Sequence, residues 1–301
     1  MRITIAGGTG FLGRALTAAL VQDGHSLTLL TRGNARPTAD GVDRHRWAPD
    51  GTAGDWAPAV DGADAVVNLA GESIGAGRWT PERRRAIRDS RVLATRSLVA
   101  AIQQSARPPG VLVSASGQNY YGDRGEEELT EESAPGSDFL AQVCLDWESE
   151  ALQAAPLTRV VLLRTALVLH DKEGALPRML LPFRLFGGGP LGSGRQFMSW
   201  IHLRDWVGLA NMALTDNRAV GPVNVGSPVP VRNAEFAAEL GKVLGRPSWV
   251  PAPRFALKAA LGEMADALLL GSTRMRPVRA LELRYRFAFP ELEPAIRDLL
   301  R

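Results

Sequence analysis

The first thirteen residues constrain the fold of this chain more than any other segment. Residues Arg2–Ala6 are a short apolar run typical of a buried strand, and the glycine-rich segment Gly7-Gly8-Thr9-Gly10-Phe11-Leu12-Gly13 follows it without a gap. Gly8, Gly10 and Gly13 fit the pattern G-x-G-x-x-G, whose glycines permit a tight turn, a close approach to a pyrophosphate and close packing of a helix on a strand. The sequence therefore predicts a strand, a turn and a helix start that bind a dinucleotide.

The residues after Gly13 support this prediction. Apolar residues recur at helical spacing as far as Leu20, and a second apolar run, Leu27–Leu30, follows Gly24. The free N–H groups and the positive dipole end of a helix N-terminus attract phosphate without a basic side chain. A glycine turn without a ligand is the alternative, but the strand–turn–helix–strand context favours a bound dinucleotide.

The end of the second predicted strand indicates which dinucleotide binds. About twenty residues after the glycines, NAD-binding proteins carry an acidic residue for the ribose 2′-hydroxyl. This chain has Thr31 and Arg32 there, with Arg36 close behind. A guanidinium group suits a 2′-phosphate, so we predict NADP as the cofactor. The alternative is a solvated surface arginine in an arginine-rich protein.

Predicted strands and helices alternate along most of the chain, which favours an α/β fold with a Rossmann doubly wound parallel sheet. We predict that residues 1–165 form an NADP-binding Rossmann domain, completed by residues 197–225. The remaining elements of residues 166–301 are predicted to form a smaller C-terminal α+β lobe that binds substrate.

Two predicted strands end in segments that suit a ligand, because the carboxyl ends of parallel strands face the ligand crevice. The strand beginning at Ala63 ends in small residues at Asn68–Gly71, and the strand Val111–Ser114 leads to the segment from Ser116 to Tyr121. The predicted cofactor-binding residues are Gly7, Gly10, Phe11, Leu12, Gly13, Thr31, Arg32, Arg36, Asn68, Leu69, Ala70 and Gly71.

Composition excludes several classes of partner. The net charge is only +3, and the chain has no basic block with interleaved aromatic residues, so a nucleic-acid partner is not expected. A single cysteine, Cys144, excludes an intrachain disulfide, and the histidines have no metal-binding spacing. No apolar run approaches the ~18 residues that a membrane span requires. We therefore expect a cytoplasmic protein that acts on a small molecule, without metal or membrane.

Several segments carry a resemblance to a known family. They are Gly7–Gly13, Asn68–Gly71, the loop Tyr120–Gly125, the loop Gly188–Gln196, Ser199–His202 and the closing Tyr285–Phe287 with Pro290–Leu292. Together they resemble the extended short-chain dehydrogenase/reductase superfamily, and more narrowly its atypical epimerase-family branch of SulA-type nucleoside-diphosphate-sugar epimerase-like proteins. The resemblance runs nearly end to end. It implies an NADP-binding Rossmann domain with a C-terminal lobe over the cofactor.

The resemblance does not carry a mechanism across. Active members of the superfamily use a tyrosine for proton transfer, with a lysine four residues later that holds the ribose and keeps the phenol acidic. None of the three tyrosines here has a lysine four residues later, and no lysine precedes Lys172. The candidates for polarising a substrate are therefore Ser116, Asn119, Tyr120 and Tyr121. Alternatively, the two tyrosines only wedge the loop against the sheet.

Two further segments allow a functional and a structural interpretation. Gly187–Gly194 is either a phosphate-binding loop or a structural turn, since it lacks the P-loop lysine. His202 is either an imidazole oriented by Asp205 or the neighbour of an acid in the cap region of the next helix. The sequence leaves both pairs of alternatives open.

Three functions are compatible with these features. The first is an NADP-dependent oxidoreductase or epimerase-like enzyme that acts on a small carbonyl or hydroxyl substrate. The second is a catalytically silent NADP(H)-responsive binding protein, and the third is a structural relict.

A monomer is favoured over a dimer, because like charges would oppose pairing. A helix that often pairs across a two-fold axis in the superfamily here carries Arg83, Arg84, Arg85, Arg88 and Arg96.

Overall fold

The computed structural model of the chain describes residues 1–33 and 42–301. The strands in this part of the chain are β1 Arg2–Ala6, β2 Ser26–Thr31, β3 Asp43–Arg46, β4 Ala65–Asn68, β5 Val111–Gly117, β6 Glu128–Leu129, β7 Arg159–Thr165, β8 Leu167–Leu169, β9 Phe197–Met198, β10 Trp200–His202, β11 Gly221–Val225, β12 Val231–Arg232 and β13 Arg274–Met275. The α-helices are α1 Phe11–Gln22, α2 Pro81–Gln104, α3 Phe139–Leu152, α4 Leu176–Arg184, α5 Leu203–Thr215, α6 Asn233–Leu244, α7 Arg254–Leu261, α8 Glu263–Ala265, α9 Val278–Glu282 and α10 Leu292–Leu299.

Seven parallel strands form the central sheet in the order β11-β7-β5-β4-β1-β2-β3. The chain moves outward from β1 to β3, and then returns to place β4 on the other side of β1. Ile5 of β1 accordingly pairs with Leu29 on one side and with Val67 on the other. In sheets of this kind the ligand crevice lies where the strand order reverses. The predicted Rossmann doubly wound fold is confirmed, and its switch point lies beside the glycine turn.

Helices cover both faces of this sheet. On one face α1 and α5 bury residues such as Leu16 and Trp206 against the strands. On the other face α2 and α3 enclose a second core, to which Leu98 and Ala151 belong. Thr80 followed by Pro81 is a sequence pattern that predicts a helix start, and the structure confirms it: the Thr80 hydroxyl accepts a hydrogen bond from the Arg83 N–H, and Pro81 occupies the first helical position of α2.

The C-terminal lobe has a core of its own, in which α4, α6 and α10 pack around buried residues that include Trp200 and Phe236. Three two-stranded pairs, β8 with β10, β9 with β12 and β6 with β13, accompany these helices. The lobe is therefore α+β, as predicted. Since β11 pairs with β7 at the edge of the central sheet, residues 221–225 lie in the Rossmann sheet. The exact division at residues 165 and 166 stays a prediction.

Asp205 joins the last part of the chain to the Rossmann helices. Its buried carboxylate accepts hydrogen bonds from the N–H groups of Ala288 and Phe289 and from the Tyr285 hydroxyl, at 2.7 to 3.2 Å. The cap of α5 is His202, whose Nδ1 accepts the Arg204 N–H at 3.1 Å. Asp205 is thus an anchor for residues 285–289.

Candidate active site

The glycine turn between β1 and α1 is tightly packed. Gly7 has a φ of +80°, and a Cβ on it would lie 2.6 Å from the Leu69 backbone. A Cβ on Gly13 would lie 2.2 Å from the Gly7 carbonyl oxygen and 2.6 Å from Gly8 Cα. The tight turn therefore occurs at Gly7 and not at Gly8, where the sequence pattern located it. Gly13 has the predicted role of letting the helix approach the strand.

The N-terminus of α1 is open toward the crevice. Gly10 is its N-cap residue, and among the described residues no side chain caps it and no acidic residue lies in its first turn. The Gly10 N–H itself closes the turn onto the Gly7 carbonyl at 3.0 Å. The first N–H groups of the helix are thus available to an anion, so this turn fits the pyrophosphate of a dinucleotide.

The other predicted cofactor residues of the N-terminal half flank this turn. Phe11 and Leu12 are half-buried on the first turn of α1, and the Phe11 ring lies 5.6 Å from the His170 ring. Thr31 ends β2, where its hydroxyl accepts the Gly33 N–H at 3.2 Å, and the side chain of Arg32 is exposed. Arg36 lies outside the described residues.

The predicted segment 68–71 borders the turn on its other side. Asn68 is fully buried: its Nδ2 donates to Thr95 Oγ1 at 2.8 Å, and its Oδ1 accepts the Ala70 N–H at 3.2 Å. Asn68 therefore shapes the turn after β4 through its side chain. The backbone of Leu69 and Ala70 packs on Gly7, while Gly71 is exposed at the carboxyl edge.

Two of the predicted polar residues lie in a buried network. The Ser116 hydroxyl donates to Glu148 at 2.6 Å, and Glu148 forms a two-pronged ion pair with Arg164 at 2.8 and 2.9 Å. Arg164 also donates to the Tyr121 hydroxyl at 3.1 Å, and that hydroxyl donates to Asn224 Oδ1 at 2.6 Å. Ser116 is 5% exposed and Tyr121 is fully buried. Their hydroxyl groups are thus engaged inside the protein, below the edge where the sequence placed them.

Burial also sets the acidity of Tyr121. Desolvation raises the pKa of its phenol to about 12, although the neighbouring Arg164 acts in the opposite direction. A phenol with this pKa stays protonated at neutral pH and is a poor base. This geometry favours the interpretation of Tyr121 as a wedge between the loop and the sheet.

The other two predicted residues are less enclosed. Asn119 and Tyr120 are half-buried in the 3₁₀ turn Gln118–Tyr121 at the end of β5. Asn119 Nδ2 donates to the Ala267 carbonyl of the C-terminal lobe at 3.3 Å. The Arg164 guanidinium stacks on the Tyr120 ring, with Cζ 3.4 Å from its centroid. The 3₁₀ turn thus brings Asn119 to the junction of the sheet edge and the C-terminal lobe.

Glu148, Arg164 and Asn224 are not among the site residues predicted from the sequence. A signal was present, since Arg164 interrupts the apolar strand β7 and Glu148 interrupts the buried face of α3. Charged residues in such positions are seldom buried unless paired. Their partners could not be assigned, because Arg164 and Glu148 meet only when α3 packs beside β7.

The loop Gly187–Gly194 has structural contacts. Gly188 O accepts the Val250 N–H at 3.1 Å, Pro190 O accepts the Ala252 N–H at 2.9 Å, and Gly192 N–H donates to Ala252 O at 2.8 Å. These contacts favour the structural turn over the phosphate-binding loop.

Potential metal ligands are not clustered in the described part of the chain, where no three of them lie together. In the same residues, no helix has both the length and the apolar composition of a membrane span.

Comparison with known proteins places this geometry in a family. Residues 3–226, which include all of the central sheet except Arg2, match the NAD dependent epimerase/dehydratase family. The chain belongs to this family. Residues 252–299 match a second profile, a domain of unknown function (DUF1731). The epimerase/dehydratase match thus covers the glycine turn and the buried network, while the DUF1731 match covers most of the last fifty residues.

Relatives within the epimerase/dehydratase family align over the full chain. The epimerase family protein SDR39U1 homolog, chloroplastic, of Arabidopsis thaliana is 42% identical over the whole of this chain and 87% of its own length. The human epimerase family protein SDR39U1 is 38% identical over all of both chains. The resemblance to atypical epimerase-family proteins is confirmed. Since the plant relative is named chloroplastic, the cytoplasmic location stays a prediction.

Solved structures agree with the sequence relatives. The crystal structure of human SDR39U1 (isoform 2) with NADPH has a TM-score of 0.90 at 37% identity and covers 99% of each chain. The crystal structure of the nucleoside-diphosphate sugar epimerase from Corynebacterium glutamicum has a TM-score of 0.80 at 34% identity. This alignment covers 100% of this chain and 58% of the Corynebacterium chain. Both support a common fold over the full length of this chain.

Proposed function

We propose that this chain binds NADP(H) at the Gly7–Gly13 turn and reduces the carbonyl group of a small substrate held between the sheet edge and the C-terminal lobe. The observation that carries this proposal is the open N-terminus of α1, which is pressed onto a turn where a side chain on Gly7 or Gly13 would collide with backbone. The NADPH in the crystal structure of the human relative supports the choice of cofactor.

The chain's own residues have defined tasks in this proposal. NADPH supplies a hydride when bound. The N–H groups of α1 hold its pyrophosphate, and the exposed guanidinium of Arg32 pairs with its 2′-phosphate. Asn119 and Tyr120 are the candidates for contacting the substrate oxygen. Because the Tyr121 hydroxyl is buried and engaged, the proton that completes the product alcohol would come from the Tyr120 hydroxyl or from water, so reduction should be slow.

One observation favours a second candidate function, a catalytically silent NADP(H)-responsive binding protein. The hydroxyl groups of Ser116 and Tyr121 are held by Glu148 and Asn224, so neither is free to transfer a proton to a ligand. The two functions separate in one assay: incubation with NADPH and a panel of small aldehydes and ketones, followed at the nicotinamide absorbance. Substrate-dependent oxidation of NADPH supports the reductase, and binding without oxidation supports the silent protein.

The cofactor choice is tested at Arg32. NADPH should bind at least about ten-fold more tightly than NADH, because only NADPH carries the 2′-phosphate that a guanidinium recognises. Arg32→Ala should remove this preference while leaving the affinity for NADH unchanged, as measured by calorimetry. Arg218→Ala is the control, since Arg218 is also an exposed arginine but pairs with Asp216. Equal affinities for NADPH and NADH in the wild type would refute the assignment.

A further inference from the structure

Arginines on α2 divide into two groups by their partners. Five of them form ion pairs with carboxylates: Arg83 with Glu72, Arg84 with Glu263, Arg85 with Glu82, Arg88 with Asp146 and Arg96 with Glu150. The sixth, Arg91, has no carboxylate within ion-pair distance in residues 1–33 and 42–301. Its charge thus lacks the direct compensation that its neighbours have.

Arg91 is also more enclosed than most of these neighbours. Its guanidinium packs against the Trp147 ring of α3, with Cζ 5.2 Å from the centroid. It donates hydrogen bonds to two backbone carbonyls, those of Ile87 at 2.8 Å and Glu72 at 3.0 Å. A Cβ on Gly71 would lie 3.1 Å from Arg91 Cζ, so the guanidinium sits directly against the end of the β4 segment.

This arrangement leaves N–H donors of the Arg91 guanidinium available for further hydrogen bonds. A guanidinium has five N–H donors, and the two carbonyls accept from two of its nitrogens. Burial lowers the pKa of Arg91, which means that its surroundings disfavour the charge. Glu72 attracts this charge from beyond ion-pair distance, and a desolvated cation that no carboxylate contacts directly favours a ligand with oxygen acceptors.

The sheet order indicates which part of a dinucleotide lies near Arg91. Arg32 follows β2, the glycine turn follows β1, and Arg91 lies against Gly71 in the segment after β4, on the opposite side of β1. Arg91 also contacts α3 through Trp147, and Cys144 Sγ of the same helix lies 3.9 Å from the Gly117 carbonyl at the end of β5. A dinucleotide with its 2′-phosphate at Arg32 would cross the turn and bring its nicotinamide half to Arg91.

We propose that Arg91 donates hydrogen bonds to the ribose hydroxyl oxygens on the nicotinamide side of NADP(H). A cation supplied by α2 then holds the ribose, as the lysine of the tyrosine–lysine pair does in the dyad-bearing members of the superfamily. This inference rests on the proposed function, because it needs NADP(H) in the crevice. It adds a second point of attachment, so that Arg32 holds one end of the cofactor and Arg91 holds the reacting end.

The test compares two ligands on four proteins. NADPH carries both halves of the cofactor, whereas 2′,5′-ADP carries the adenosine half and the 2′-phosphate alone. Wild type, Arg91→Met, Arg91→Lys and the control Arg85→Met are titrated with each ligand by calorimetry. Arg91→Met should weaken NADPH binding about ten-fold or more and leave 2′,5′-ADP binding unchanged. The NADPH affinity of Arg91→Lys should lie between those of Arg91→Met and the wild type. Arg85→Met, which removes an exposed arginine of the same helix, should change neither affinity.

Each other outcome overturns the inference. Unchanged NADPH affinity in Arg91→Met would show that the guanidinium does not touch the cofactor, and a raised KM for an acidic substrate in that variant would assign it to a substrate anion. If Arg91→Met and Arg91→Lys each weaken the binding of NADPH and of 2′,5′-ADP by the same factor, Arg91 is a structural residue and does not contact the nicotinamide half. Absence of NADPH binding in the wild type would refute the proposed function itself, which separates its failure from that of the Arg91 assignment.

Discussion

Tyr121 shows at the scale of one residue how burial decides a role. A tyrosine in a loop at the carboxyl edge of a parallel sheet is well placed for proton transfer, and the sequence offers few other candidates. The structure turns its hydroxyl inward, between Asn224 and Arg164. A hydroxyl in this position stabilises the fold, because each of its neighbours would otherwise lose a buried hydrogen-bond partner.

Tyr121→Phe tests this role. The variant should lower the free energy of unfolding by about 1–3 kcal/mol, because it leaves the buried Asn224 Oδ1 without its donor and removes one of the acceptors of Arg164. NADPH affinity and any turnover should be unchanged. Urea denaturation and calorimetry measure the two effects. Tyr120→Phe is the control for the stability measurement alone, since its ring keeps the stacking contact with Arg164. Loss of turnover without loss of stability would return Tyr121 to the list of catalytic residues.

At the scale of elements, the contact of α1 with the glycine turn decides whether a cofactor fits. The helix approaches so closely that a methyl group on Gly13 would lie within 2.2 Å of the Gly7 carbonyl oxygen. Backbone atoms cannot move aside as a flexible side chain can. The N–H groups that face the crevice therefore depend on this packing for their position.

Gly13→Ala should displace the start of α1. We expect a loss of about 1–3 kcal/mol in the free energy of unfolding, typical of overpacking, and at least a ten-fold loss in NADPH affinity. Thermal or urea unfolding and a calorimetric titration measure both effects. Gly77→Ala is a matched control, because a Cβ there meets no atom within 4 Å. If Gly13→Ala binds NADPH like the wild type, the turn does not hold the cofactor.

At the scale of the whole molecule, a few polar contacts attach the C-terminal residues to the Rossmann helices. Asp205 anchors residues 285–289, and His202 stacks on Phe289 with ring centroids 4.0 Å apart. His202 Nε2 also lies 3.4 Å from Asp298 of α10. The monomer was expected because of like-charge repulsion among five of the six α2 arginines. Four of those five form ion pairs with acids of other segments, which reduces this repulsion. The oligomeric state stays a prediction.

His202 makes the attachment of this segment sensitive to pH. Burial lowers the pKa of His202, and the nearby Asp298 opposes this only in part, so the folded state favours the neutral ring. The contribution of the neutral His202 ring to the stability of the folded state is fully present above the unfolded pKa of about 6.5. It is lost as pH falls through the lower pKa of the folded state. Wild-type stability should therefore fall more steeply below pH ~6.5 than that of His202→Asn, which keeps a cap acceptor but does not titrate. Parallel curves from urea denaturation across this range would contradict the assignment.

The sequence alone determined the local features of this protein. Glycine spacing, apolar periodicity and cap residues act between near neighbours along the chain, so they predicted the parallel sheet, the glycine turn and the start of α2. The family resemblance likewise rested on short segments. The direction of the Tyr121 hydroxyl was decided only by the tertiary structure, because its partner Asn224 is 103 residues away. The same holds for the enclosure of Arg91 without a carboxylate partner in the described residues, since burial and charge compensation are set by segments that meet only in the folded chain.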